Sequence, residues 1–171
     1  SRMHMDQTYV FYAGLPYFFK EGRFGMVKPF SVDAVRDDEW VFSGYSFSEK
    51  LWMDRHGKMH EGEIPAEQME DLWGVGFFHA QSRDAFMALR LDHSAKGWKD
   101  LRHGGAPTLN YAGHGQLWSR YPAEDAQFPA GASIRQHNVY VVAPYSVQGG
   151  AEHLERLRRQ LLHPLEVLPG R

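Results

Sequence analysis

Runs of aromatic and β-branched residues recur along nearly the whole chain, and Gly, Pro or Asp interrupts most of them before they reach the length of a helix. Such side chains lose rotamer freedom against a helical turn but pack well on a pleated surface, so the pattern predicts many short antiparallel strands. The candidate strands are Thr8–Ala13, Leu15–Lys20, Gly25–Val35, Glu39–Phe47, Leu51–Asp54, Gly76–Ala80, Thr108–Tyr121 and Ser133–Pro144. Between them, Lys20-Glu21-Gly22, Arg36-Asp37-Asp38 and Asp54-Arg55-His56-Gly57 supply the residue types that tight hairpins require. Ser82–His93 carries a mixed signal. Ser82 would suit a helix cap, but the apolar run Phe86-Met87-Ala88-Leu89 favours a buried strand. The long Pro/Ala/Gly stretch Ala123–Ala132 reads as a loop or lid.

Two segments break the pattern. After Gly149-Gly150, the residues Ala151, Leu154, Leu157 and Leu161 recur at helical spacing. Glu152→Arg156 and Glu155→Arg159 form i,i+4 pairs on the side expected to face water, and His163-Pro164 ends the run. A shorter helix is expected over Pro65–Trp73, where proline suits the first turn. The expected fold is therefore mainly β, an antiparallel sandwich or barrel-like set of sheets, with one short internal helix and an amphipathic C-terminal helix.

A chain of 171 residues is long enough for one hydrophobic core and too short for two comfortable ones. Ser1-Arg2-Met3-His4-Met5 resembles an expression remnant, which leaves 6–171 as a single domain, and the early first strand suggests excision from a longer chain. The net charge of −2 gives no field for phosphate backbones, so no nucleic-acid partner is expected. No apolar stretch approaches the roughly 18 residues that span a bilayer, so a soluble domain without a membrane partner is expected. Cysteine is absent, which removes disulfides, thiolate metal sites and a Cys nucleophile and fits a cytoplasmic, intracellular setting.

The sequence holds no H-E-x-x-H, G-x-S-x-G, Walker A or G-x-G-x-x-G motif, so zincin, α/β-hydrolase, P-loop and Rossmann mechanisms lose their usual support. Candidate site residues come instead from strand parity, because alternate side chains share a face. If Thr108–Tyr121 is one strand, one face carries Asn110, His114, Gln116, Trp118 and Arg120 and the other Leu109, Tyr111, Leu117 and Tyr121. In Ser133–Pro144, Arg135 and His137 share one parity and Gln136, Asn138 and Tyr140 the other. His79 and Arg83 follow the aromatic pair Phe77-Phe78 at a strand end. His93 and His103 read as solvated turn residues.

These placements suggest a small-molecule-binding β domain. His79, His114 and His137 would act as catalytic acid–base groups or as ligands of a divalent metal, with Asp84 or Glu124 completing the set. Arg83 or Arg120 would hold an anionic group, and Asn110, Tyr111 and Gln116 would orient the substrate. As an enzyme the chain would be a lyase, isomerase or hydrolase acting on a small organic substrate. The alternative is a non-catalytic domain that docks through its aromatic residues onto another domain or subunit.

Overall fold

The computed structural model describes residues 1–34, 40–43, 46–68, 72–97, 109–112, 115–118 and 124–164. In chain order these form β1 (Met3–Phe11), β2 (Tyr17–Met26), β3 (Phe30–Ala34), β4 (Trp40–Ser43), β5 (Glu49–Met53), β6 (Met59–Glu61), a 3-10 turn (Ala66–Gln68), β7 (Gly74–Phe78), β8 (Ala85–Lys96), β9 (Leu109–Ala112), β10 (Gly115–Trp118), β11 (Glu124–Phe128), β12 (Ser133–Val142) and α1 (Gly150–Leu162). The fold is mainly β with a C-terminal helix, as the sequence pattern predicts.

Seven strands make one antiparallel sheet in the order β1-β2-β12-β8-β7-β5-β6, which does not close into a barrel. A three-stranded sheet, β4-β10-β9, and a ribbon, β11-β3, complete the described strands. β12 lies in the large sheet between β2 and β8, and its two parities face different layers. Val139 and Val141 join Leu51, Met53, Met87 and Leu89 in a core closed by Leu154 and Leu157 of α1. Tyr140 faces the other way, into a cluster with Phe77, Phe86 and Val75 against which Trp40 and Phe42 of β4 pack. The Trp40 ring lies 4.9 Å from both Phe86 and Tyr140, within the range of favourable aromatic pairs. The large sheet is thus covered by a helix on one face and by strand β4 on the other, a sandwich-like arrangement.

Several local expectations change. Lys20-Glu21-Gly22 is not a turn but the middle of β2; the connection between β1 and β2 is residues 12–16, with Gly14 at φ 80°. Thr108–Tyr121 is not one strand, because β9 and β10 pair as a hairpin in which Gly115 stands opposite Ala112. Gly25–Val35 divides into the end of β2 and β3. Part of Ala123–Ala132 is β11, which pairs with β3 rather than forming a lid. Ser82–His93 contributes to β8, so strand is the right reading there, and His93 lies within that strand rather than in a turn. Met3–Met5 continue the β1–β2 ladder, with Met3 opposite Met26. Of Pro65–Trp73, Ala66–Gln68 form a 3-10 turn, Leu72 and Trp73 are non-helical, and 69–71 lie outside the described residues, as does the Arg36-Asp37-Asp38 turn.

Glu155 is not on a wet helix face. It is buried, and its Oε1 accepts from the Met59 backbone N–H at 3.0 Å while Oε2 accepts from Lys58 Nζ at 3.2 Å. Helix α1 is thereby tied to the β5–β6 hairpin, whose turn is closed by Asp54 accepting from the backbone N–H groups of His56 and Lys58. Burial alone would raise the Glu155 carboxyl, but the bonds from Met59 and Lys58 outweigh it and hold the group below its ordinary value. On the neighbouring turn, burial and then Arg90 pull the Arg158 guanidinium down to about 10. That guanidinium lies 4.5 Å from the Trp73 ring centre, and its Nε donates to the Arg90 carbonyl.

Two consequences can be measured. A folded-state value below the unfolded one contributes stability that is present above the ordinary carboxylate range, and that stability is lost as pH falls through the lowered value. Glu155→Gln should therefore cost about 1–2 kcal/mol at pH 7 in urea titrations, with the gap from wild type narrowing below about pH 4. Gly76 has no room for a side chain, since a Cβ would meet the Phe86 carbonyl oxygen and approach Met87 Cα to 2.8 Å. Gly76→Ala should destabilise by roughly 3 kcal/mol in the same titration, because the obstacle is backbone.

Candidate functional site

The face of the large sheet turned away from α1 changes character along its strands. Cross-strand register sets Phe18, Tyr140 and Ala88 in one row, Lys20, Asn138 and Arg90 in the next, and Gly22, Gln136 and His93 in the third. The first row belongs to the aromatic cluster; the next two are polar. Polar residues here are not a solvated exterior: Lys20, Arg90, Asn138 and Gln136 are all buried, with Gln136 at 0% exposure. Rows on one face recur about every 6–7 Å, two residues apart, so the three rows span a patch the size of a small organic molecule.

A bulge shapes the patch. Between His137 and Asn138 the pairing with β8 shifts, so that Asp92 stands opposite His137 and Arg90 opposite Asn138, with Leu91 the extra residue. An extra residue of this kind reverses the parity beyond it. It keeps Leu91 in the helix-side core and returns His93 to the polar face, where an unbroken strand would have turned it away.

Gln136 is the unusual member. Neither its Oε1 nor its Nε2 has a hydrogen-bond partner among the described residues, and both atoms are sealed from solvent. A buried polar group left in this state costs about 1–3 kcal/mol. Gly22 on β2 makes the space: a Cβ there would meet Gln136 Oε1 and the Phe24 ring, each at 3.2 Å. The Gly22 that reads as a turn signal in sequence is thus a cradle for an amide within a strand.

The residues singled out from sequence are dispersed. His79 directly follows β7, and its Nδ1 accepts from the backbone N–H groups of Gln81 and Ser82 at 3.3 Å each, which closes the following turn. Arg83 occupies the left-handed region at φ 63°, donates from Nε to the Tyr145 carbonyl at 2.8 Å and stacks its guanidinium 4.2 Å from the Phe78 ring centre. His137 lies on the helix-side parity of β12, with its ring 5.7 Å from Phe19. His79 extends the ladder opposite Asp84, whereas His137 stands opposite Asp92. At about 3.3 Å per residue that separates the two imidazoles by roughly 20 Å or more, too far to share an ion.

His114 and Arg120 lie outside the described residues, as does His103. Asn110, Tyr111 and Gln116 are in the β9–β10 hairpin, where Gln116 stands opposite Tyr111 and Asn110 opposite Leu117. The parity grouping of Asn110 with Gln116 belongs to a single strand, and the reversal of the chain at the hairpin undoes it. Among the described residues, no three His, Asp or Glu side chains converge as a metal set.

The buried polar rows were visible in sequence only in part. The parity of Gln136, Asn138 and Tyr140 is legible in sequence, but Lys20 falls where a strand signal meets a turn signal, and the bulge that brings in His93 has no local signal. No protein-family model and no curated protein matches the chain.

The amide's cost supplies a direct measurement. Gln136→Leu, which is close in volume and needs no partners, should raise the thermal midpoint by a few degrees, about 2–4 °C per kcal/mol recovered. A midpoint lowered by a similar amount would mean that the amide is held by interactions that stabilise the fold.

Proposed function

We propose that the chain binds a small planar organic molecule bearing a carboxylate or carboxamide on the polar rows of the large sheet. The single observation that carries this reading is the wholly buried Gln136 amide, with neither donor nor acceptor engaged among the described residues. A carboxamide offers one acceptor and one donor side by side and would satisfy both ends at once, recovering the desolvation cost that the protein bears without it, whereas a carboxylate offers acceptors only and would engage Nε2 alone. Lys20 and Arg90 flank the row and favour negative charge on that group, while Phe18, Tyr140 and Trp40 offer an aromatic wall one row further along. Chemistry on the ligand would fall to His93, the ionisable imidazole among these rows, acting as an acid or base in a lyase, isomerase or hydrolase reaction.

Ligand-observed NMR with benzoate, benzamide and nicotinamide tests the binding step. Saturation-transfer signals are expected with the wild-type protein and are expected to fall at least tenfold with Gln136→Leu. Absence of signal with all three compounds, or equal signal with the variant, would sink the reading.

A further inference from the structure

Strand β1 ends the large sheet, and no described strand pairs with its outer edge. Edge strands in soluble proteins are ordinarily guarded by lysines, prolines, bulges or short length. Apart from the single charge of Asp6, β1 has none of these guards: Met-His-Met-Asp-Gln-Thr-Tyr-Val-Phe runs for nine residues without Lys or Pro, and its register with β2 is unbroken from Met3↔Met26 to Phe11↔Phe18. It is also apolar on one face, with Met5 at 51%, Tyr9 at 46% and Phe11 at 68% exposure.

We infer that β1 is a homodimer edge, pairing antiparallel with β1 of a second copy about a two-fold axis at Gln7. The occupant follows from self-complementarity. An axis normal to the sheet brings residues of like parity together, and the register centred on Gln7 is the one that uses all nine residues of β1. It sets Met3 opposite the partner's Phe11 and Met5 opposite the partner's Tyr9, and by symmetry each pair occurs twice. Thioether–aromatic contacts of this kind are favourable on one continuous face. On the other face Asp6 meets the partner's Thr8 and His4 the partner's Val10, so no like charges oppose. Shifting the axis to Asp6 would set two carboxylates against each other. Shifting it to Met5 or Thr8 leaves part of β1 unpaired or draws in residues outside it.

The odd residues of β1 share the face that carries Phe18, Lys20 and Gly22, through the pairs Phe11↔Phe18, Tyr9↔Lys20 and Gln7↔Gly22. The dimer therefore forms one sheet running through both copies, with the polar rows of each on the same side. The ring of Phe11 already stacks 4.7 Å from Phe18, so the Met–aromatic contacts extend that aromatic surface across the interface.

The absence of cysteine from the chain makes the axis directly testable. At a two-fold centred on residue 7, Gln7→Cys places two thiols across one rung, with Cβ atoms roughly 5 Å apart, and mild oxidation should convert most of the protein to a cross-linked dimer. Tyr9→Cys faces the partner's Met5, leaving its two thiols about 13 Å apart along the strand, and should not cross-link. By sedimentation equilibrium, wild type should dimerise reversibly at micromolar concentration. Gln7→Lys, at an exposed position, should weaken the dimer at least tenfold, and mixing Gln7→Lys with Gln7→Glu should restore it. Wild-type protein that stays monomeric to 200 µM (about 4 mg/ml), a dimer indifferent to Gln7→Lys, or equal cross-linking at positions 7 and 9 would overturn the assignment.

Discussion

The pairing of β12 on both edges and its burial on both faces is the constraint on which the other layers depend. Its backbone groups are satisfied by β2 on one side and β8 on the other. Its side chains then have only two directions to go. Val139 and Val141 fix where α1 docks, and Tyr140 fixes where the aromatic cover from β4 docks. A strand so placed cannot slip by one residue without exchanging valines for Gln136, Asn138 and Tyr140 across the sheet, so its register is set by the difference between its two faces.

That difference also accounts for the location of the candidate site. The face opposite α1 is aromatic where β4 covers it and polar where the rows of Lys20, Asn138, Arg90 and Gln136 continue beyond. Burying these groups opposes folding, and a fold selected for stability alone would place aliphatic side chains there. The bulge opposite His137 and the missing side chain at Gly22 both serve the polar rows: one turns His93 onto the face and the other gives the Gln136 amide its space. By contrast, the loop holding His79 and Arg83 is closed on itself by backbone bonds and by the His79 ring, and its Arg83 side chain holds Tyr145 against Phe78.

Helix α1 contributes through charge as well as through its leucines. Glu155 reaches the β5–β6 hairpin, while Arg158 lies against Trp73 and bonds the Arg90 carbonyl. The helix is thus fastened to the strands at one end of the sheet, which leaves β1 at the other end as an open edge.

The sequence by itself determined the fold class, the C-terminal helix with Leu154 and Leu157 inward, the strand character of Ser82–His93 and the division of β12 into two parities. Each of these rests on local periodicity, which a single segment displays without its neighbours. Tertiary structure decided the rest. Gly22 and Lys20 looked like a turn because glycine signals both a reversal and a close approach, and only the amide on the adjacent strand distinguishes them. Parity is meaningful only within one strand, and the antiparallel pairing of β9 with β10 breaks the single-strand grouping of Asn110 with Gln116. Glu155 looked solvated because helical spacing reports the apolar stripe and not the hairpin that folds over its border. The many short strands are legible in sequence because they are made by neighbours in sequence; the polar rows are not, because β2, β8 and β12 bring them together from distant parts of the chain.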